Sequence, residues 1–240
     1  MGFAEIAYLA WPWIGLGGAI VLFVILFATD WFRSRTDVGR WRDPAWLAWL
    51  AVPVYLVHVF EEYGLHVTGG QFDLVTAFER SGVMEMFGGD FNLLVFPEVN
   101  MLLVYVAFPI AAWLGRKNPV IGLMSYGFML VNGLTHIAGT LRFGGGLLSQ
   151  PGNITGLFCF IPLFMWFVYA TVKGDFMDGK GLVCAIVAGV VQHLGVFSVY
   201  GVNLAVGPTA AVIWVPFMCC LGIVVAWLLA KAVKPKLATN

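Results

Sequence analysis

The chain has little charge of either sign. Only 11% of its 240 residues are Asp, Glu, Lys or Arg, and 13 basic residues balance 13 acidic ones. A chain without a basic excess lacks the surface that binds nucleic-acid phosphates, so we exclude nucleic acid as a partner. Hydrophobic residues make up 60% of the chain, whereas a soluble domain has about 45–50%. The composition therefore predicts an integral membrane protein.

The chain also has few cysteines and no long polar linker. Its four cysteines, Cys159, Cys184, Cys219 and Cys220, lie within apolar runs. Their spacing is neither that of a zinc site nor that of a secreted disulfide scaffold, so we interpret them as small buried hydrophobic residues. Because no internal repeat or low-complexity stretch divides the chain, we expect one transmembrane domain over residues 1–240.

Long apolar runs, by contrast, are abundant. A membrane-spanning helix needs about 20 mostly apolar residues, and seven segments of roughly that length are separated by short polar connections. This pattern predicts an all-α, polytopic bundle of seven transmembrane helices. The predicted helices cover about 8–29, 45–64, 93–115, 119–139, 154–173, 181–205 and 208–230.

The positive charges divide unevenly between the two sides of this bundle. Eleven of the 13 Lys and Arg residues fall in the first, third and fifth connections or in the C-terminal tail, whereas Arg80 and Arg142 fall in the other connections. Since Lys and Arg in short loops stay on the cytoplasmic side, we expect the N-terminus outside and the C-terminus in the cytoplasm of a multi-pass cell-membrane protein. The longest external connection predicts either an interfacial helix at about 71–87 or an ordinary loop segment packed on the bundle.

The second apolar segment carries ionisable residues near its outer end. Within the run VYLVHVFEEYGLH, residues 54–66, His58 precedes Glu61 by three positions and Glu62 by four. These spacings bring side chains to one face of a helix. Counting about 1.5 Å per residue from the cytoplasmic end places His58 roughly 20 Å and Glu62 roughly 26 Å along the helix, in the outer half of the membrane.

Three further helices bring polar residues to the same depth. Each ionisable group in a spanning segment costs about 2.5–3.5 kcal/mol to insert, so we expect the faces that carry these groups to converge, where the groups hydrogen-bond or bind an ion together. The polar residues that these helices add are Glu98, Asn100, Asn132, His136, Gln192, His193 and Asn203.

Some of these residues have structural alternatives. Asn100 and Asn132 are also typical of interhelical hydrogen bonds. His193 is equally typical of a hydrogen-bonded packing residue. Glu61 alternatively turns toward the outer headgroups, because adjacent residues on a helix point about 100° apart. Glu62, which shares the i+4 face of His58, is the first candidate for chemistry.

The sequence HVFEE at residues 58–62 forms an H-x-x-E-E element on a membrane helix. Together with Glu98 and the Asn132-x-x-x-His136 pair, it resembles the HXXEE family of integral membrane proteins. The resemblance implies a membrane-embedded protein in which enzymatic activity is expected, but it implies no particular reaction. It points to five functional residues, namely His58, Glu61, Glu62, Asn132 and His136.

The first functional hypothesis is a metal site in an enzyme. Imidazole and carboxylate ligands together suit zinc or non-haem iron, and one or two such divalent ions would activate water or oxygen. Inward-facing His and Glu residues from several helices are similar to di-metal bundles, although the spacing here is H-x-x-E rather than E-x-x-H. The expected ligands are His58, Glu61, Glu62, Glu98, His136 and His193.

Two further hypotheses need no metal. In one, Glu62 acts as general acid or base with His58 and Glu98, giving an isomerase or hydrolase. This layout is similar to that of emopamil-binding-type sterol isomerases, which we use only as an analogy of mechanism. In the other, the polar layer is a proton or cation site of a transporter. The inner half of the chain lacks matching polar residues and its two halves show no repeat, which favours a cavity over a pathway.

We therefore expect an enzyme that acts on a lipid-like or small hydrophobic substrate. Such a substrate would enter from the outer leaflet or the external water. Phe96, Trp214, Phe217 and the glycine-rich loop 142–153 are candidates for the entrance. Arg142 would either meet an acidic head group or anchor its helix at the interface.

Overall fold

A computed structural model of the chain describes residues 3–65, 95–143, 150–174 and 176–233, together with positions 69, 74, 77 and 146. The segment 71–87, where an interfacial helix is one of the two predictions, lies outside the described residues except at positions 74 and 77. Much of the glycine-rich loop after Arg142 also lies outside them.

The described residues form seven helices long and apolar enough to cross a membrane, and no strand occurs among them. The predicted all-α bundle of seven transmembrane helices is thereby confirmed, whereas the side on which each terminus lies stays a prediction. The helices are α1 (Phe3–Ala28), α2 (Pro44–Tyr63), α3 (Val95–Gly115), α4 (Pro119–Phe143), α5 (Asn153–Gly174), α6 (Gly179–Val206) and α7 (Pro208–Ala230).

Three of these helices begin with an Asp or Asn that caps its own helix. The Asp43 carboxylate accepts the N–H groups of Ala45 and Trp46 at the start of α2. Asn118 accepts the N–H of Val120 in α4, and Asp178 accepts that of Gly181 in α6. Because the first N–H groups of a helix have no partner within it, each short side chain satisfies donors that the membrane would otherwise leave bare. These three caps lie at one end of the bundle.

Helices α3 and α5 each contain one wider, π-helical turn just before a proline. The turn Leu103–Ala107 precedes Pro109, and the turn Gly156–Phe160 precedes Pro162. A proline in a helix has no N–H to donate and its ring clashes with the carbonyl four residues earlier. Each of those carbonyls falls inside the wide turn, which relieves the clash without ending the helix.

Helix α2 is the most enclosed of the seven. In its most apolar stretch 83% of the residues are buried, against 28% in α1 and α7. Helix α2, which carries the adjacent carboxylates, is therefore shielded from lipid by its neighbours.

Helices α4 and α6 pack closely on each other. Gly189 of α6 lies so near α4 that a side chain there would collide with the backbone of Met124, Gly127 and Phe128.

Candidate functional site

The C-terminal ends of α2 and α4 bring His58, Glu62 and His136 together. Glu62 Oε1 lies 3.0 Å from His136 Nε2 and 3.4 Å from His58 Nε2. One ligand atom from each side chain lies within 4.8 Å of the others, and among the described residues these three form the group able to hold a metal ion. We call them the His58–Glu62–His136 cluster. Two histidines and one carboxylate from two helices thus meet at one point.

The cluster is shielded from solvent and lipid. His58 is 0% exposed and Glu62 is 3% exposed. His58 Nε2 and Glu62 Oε2 are buried and have no hydrogen-bond partner. Buried polar atoms normally have partners, because leaving one unsatisfied costs about 1–3 kcal/mol. The cluster therefore holds unused ligand atoms in a place where they are costly.

Glu61 points away from the cluster and caps helix α5. Its two carboxylate oxygens accept the N–H groups of Ile154 at 3.0 Å and Thr155 at 2.9 Å. Gly152, at the N-terminal boundary of α5, provides no side-chain cap. Glu61 of α2 therefore caps the N-terminus of α5, as Asp43 caps the N-terminus of α2. This explains why the chain has two adjacent glutamates: each faces a different neighbour.

A hydrogen-bonded chain connects Glu61 back to the cluster. The Thr155 hydroxyl donates to Glu61 Oε2 at 2.5 Å, and Thr155 Oγ1 also lies 2.7 Å from His58 Nδ1. A carboxylate only accepts, so the hydroxyl proton is directed to Glu61 and Thr155 Oγ1 accepts from His58 Nδ1–H. The His58 ring is thereby held with its other nitrogen, Nε2, directed at Glu62.

Gly152, directly before α5, lies tightly against the cluster. Gly152 has φ of +81°, and a Cβ atom there would lie 2.6 Å from the His136 ring. Glycine is required at this position both for the left-handed backbone and for the close approach to the imidazole. The role of Thr155 has no signal in the sequence, because it belongs to no recognisable motif and lies far along the chain from His58. Gly152 lies in the loop 142–153 predicted above to border the entrance, but nothing in the sequence predicts its contact with His136.

A cavity of about 150 Å³ adjoins the cluster. Glu62 and His136 are among the residues that line it. On one wall Asn100 accepts from Tyr55 Oη at 3.3 Å and donates to Tyr63 Oη at 3.2 Å and to the Phe96 carbonyl at 3.0 Å. Both the oxygen and the nitrogen of the Asn100 amide therefore have hydrogen-bond partners. Asn100 connects α3 to α2, which is the interhelical hydrogen bonding given above as the alternative to a functional role.

His193 and Asn132 also line the cavity without belonging to the cluster. The His193 ring lies between Phe128 and Phe197, with centroid separations of 4.9 Å to each. His193 Nδ1 and Asn132 Oδ1 are buried and have no hydrogen-bond partner. These two residues therefore present free polar atoms where the aromatic walls provide none.

Other predicted site residues lie apart from the cluster. Glu98 is half-buried in the first turn of α3, and neither it nor the exposed Arg142 lines the cavity. Of the predicted entrance residues, Phe96 lines the cavity. Trp214 and Phe217 are exposed on α7 and stack on each other at 6.0 Å.

Comparison with known families gives one match. A family described as "Protein of unknown function with HXXEE motif" matches residues 49–167. That segment runs from α2 into α5 and contains the cluster, Glu61 and Thr155. No curated protein matches the chain, and no solved structure matches it.

Proposed function

We propose that the His58–Glu62–His136 cluster binds one divalent metal ion. The chain belongs, through residues 49–167, to the family of proteins with the HXXEE motif, and that segment contains the whole cluster. The protein would then be a metal-dependent enzyme embedded in the membrane. Its reaction would take place in the adjoining cavity. The family resemblance drawn from the H-x-x-E-E element is confirmed, whereas the metal and the activity are proposals.

The orientation of His58 is the observation that supports this proposal most. With Nδ1–H donating to Thr155, a neutral His58 ring carries a lone pair on Nε2, which lies 3.4 Å from Glu62 Oε1. Two electron-rich atoms face each other at that distance, and this is favourable only with a positive charge between them, which either a metal ion or a proton on Nε2 supplies. Metal-binding histidines commonly have this arrangement, in which the other ring N–H donates to an outer partner and sets the orientation of the ring.

The set of ligand atoms also suits a metal. Two imidazoles and one carboxylate are the protein ligands of several catalytic zinc sites, where the fourth position is left to water or substrate. They also suit non-haem iron. Zinc ligands at about 2.0–2.2 Å from the ion lie roughly 3.5 Å from one another, so atoms already within 4.8 Å of each other need only small side-chain movements.

The remaining position of such a site would face the cavity, since Glu62 and His136 both line it. Bound metal would supply Lewis acidity or an activated water there. The role of Glu61 and Thr155 is to hold His58, and that of Gly152 is to let the loop close over His136. A small or hydrophobic substrate in the cavity would lie beside the reactive atoms and away from bulk water.

A metal-free acid–base enzyme is the second candidate. The 3.0 Å separation of His136 Nε2 and Glu62 Oε1 is that of a pair able to exchange a proton. In this candidate a proton on His58 Nε2 satisfies Glu62 Oε1, but Glu62 Oε2 stays buried without a partner, so we rank it below the metal site.

Metal analysis of the purified protein distinguishes the two. Wild-type protein in detergent, grown with zinc and iron, should contain about one metal ion per chain by mass spectrometry, since three ligands form one site. The variants His136→Ala and Glu62→Gln should lose it. Glu98→Gln is the matched control, because it makes the same chemical change on a neighbouring helix outside the cluster, and it should retain the metal.

Metal-free wild-type protein, or a Glu62→Gln variant that retains full occupancy, would exclude the metal proposal in favour of the acid–base pair. Loss of metal from Glu98→Gln would contradict the three-residue site.

A further inference from the structure

The size of the cavity limits the part of a ligand that can lie beside the cluster. Its volume of about 150 Å³ equals that of an engineered cavity in another protein that binds benzene. A sterol or a two-chain lipid is several times larger. The described walls therefore fit a molecule of about one six-membered ring.

Aromatic rings form a large part of the cavity walls. Six rings from α2, α3, α4 and α6 line the cavity, those of Tyr55, Tyr63, Phe96, Phe128, Phe197 and Tyr200. Aromatic rings pack favourably against a flat ring in stacked or edge-on geometry. No Lys or Arg occurs among the described lining residues, so these walls offer no cationic side chain to a carboxylate or phosphate group. Without a bound metal, these walls favour an uncharged ring over an anion.

The free polar atoms of the cavity are mostly acceptors. Asn100 already has partners, but Glu62 Oε2 and Asn132 Oδ1 have none. On α4, Asn132, His136 and Gly139 follow at spacings of four and three residues and so share one face. All three line the cavity. A ligand that donates one hydrogen bond would satisfy Asn132 while its ring lies beside the cluster.

From these features we propose that the substrate is a small, ring-sized molecule without negative charge that bears a hydroxyl or amine donor, and not a membrane lipid. That this ligand is a substrate rests on the proposed function. Binding itself depends on the cavity alone, so the two are tested separately.

Gly139 offers a way to fill the cavity without disturbing the fold. A Cβ atom at Gly139 would meet nothing within 4 Å, and the same holds at Gly201, which is exposed on α6 and does not line the cavity. Gly139→Leu therefore fills the space that the ligand needs. Gly201→Leu makes the same substitution in a membrane helix without touching that space.

Fluorine NMR of 4-fluorophenol added to detergent-purified protein measures the binding. The probe partitions into detergent micelles equally in all samples. The saturable part of its fluorine signal therefore measures binding in the cavity. Wild type and Gly201→Leu should bind, and Gly139→Leu should bind at least about tenfold more weakly, because its side chain occupies the site. Asn132→Leu should weaken 4-fluorophenol binding but not that of fluorobenzene, which has no donor.

Equal binding by Gly139→Leu and wild type would overturn the proposal. So would saturable binding of 4-fluorobenzoate to metal-stripped protein as tight as that of 4-fluorophenol, or full displacement of the probe by a long-chain alcohol at equal concentration. Metal content of the same samples separates the two proposals. Probe binding in protein that never holds metal would overturn the proposed function alone, and metal-loaded protein without probe binding would overturn this inference alone.

Discussion

Two adjacent glutamates of α2 have different partners although both are buried. Glu62 contacts His58 and His136, whereas Glu61 binds the backbone and hydroxyl of the α5 N-terminus. Successive residues on a helix diverge by about 100°, so a doublet reaches two neighbouring helices at once. The H-x-x-E-E element thus combines the His58–Glu62 contact with the carboxylate that holds the partner of His58.

Thr155 provides the test of this support at the residue scale. The substitution Thr155→Val keeps the shape of the side chain but removes the acceptor of His58 Nδ1–H, so His58 loses the bond that orients it. We expect metal affinity to fall about 10- to 100-fold, as is typical when an outer partner of a ligand is removed. Competition with a chromogenic chelator measures this change. Thr155→Ser should retain the affinity of the wild type.

Thr171→Val is the matched control, because Thr171 is buried on the same helix and its hydroxyl bonds only to the Phe167 carbonyl. Wild-type affinity in Thr155→Val, or an equal loss in Thr171→Val, would contradict the orienting role.

At the scale of elements, the Asp43 and Asp178 carboxylates cap the starts of α2 and α6. Asp43 accepts the N–H groups of Ala45 and Trp46 in α2, and it also binds the preceding loop through Ser34 N, Ser34 Oγ and Arg35 N at 2.7–2.9 Å. Asp178 accepts the N–H of Gly181 at 2.8 Å. A single carboxylate therefore fixes both the start of α2 and the path of the chain from α1.

This difference predicts unequal effects of two alanine substitutions. Asp178→Ala should cost about 1 kcal/mol, the usual value for a lost cap. Asp43→Ala should cost about 3 kcal/mol or more, because it leaves several buried donors without partners. Unfolding in detergent by increasing dodecyl sulfate, followed by circular dichroism, gives the ranking. Equal midpoints for the two variants would show that the loop contacts of Asp43 contribute nothing.

At the scale of the whole molecule, the cluster and cavity lie at the end of the bundle opposite to Asp43, Asn118 and Asp178. The C-terminal ends of α2 and α4 meet the N-terminal ends of α3 and α5 there, as the contacts of Tyr63 with Asn100 and of Glu61 with Thr155 show. The distribution of Lys and Arg predicts that this is the outer end. A substrate would then reach the site from outside the cell.

Fusions of reporter proteins test this orientation. In bacterial cells a fluorescent protein fused after Asn240 should fluoresce, because the predicted C-terminus is cytoplasmic, and alkaline phosphatase at the same position should be inactive. Alkaline phosphatase fused after Gly146, between α4 and α5, should be active. The reverse pattern would place the cluster at the cytoplasmic side and the substrate in the cell.

The amino-acid sequence by itself determined the seven helices and the depth of the polar layer. Both are one-dimensional properties: an apolar run of sufficient length must form a helix in lipid, and depth follows from counting residues along it. The sequence therefore predicts, without any tertiary contact, that His58, Glu62 and His136 lie at one depth in the membrane.

Only the tertiary structure decided which residues of that layer meet. The rotation of each helix and the position of each helix end depend on packing against neighbours, as with Gly189 against α4 and Gly152 against His136. Packing turned Glu61 to α5, left Glu98 outside the cluster and brought in Thr155, which no spacing in the sequence connects to His58. Contacts between residues some 90 positions apart are a property of the folded bundle, because the energy that selects them comes from all its helices at once.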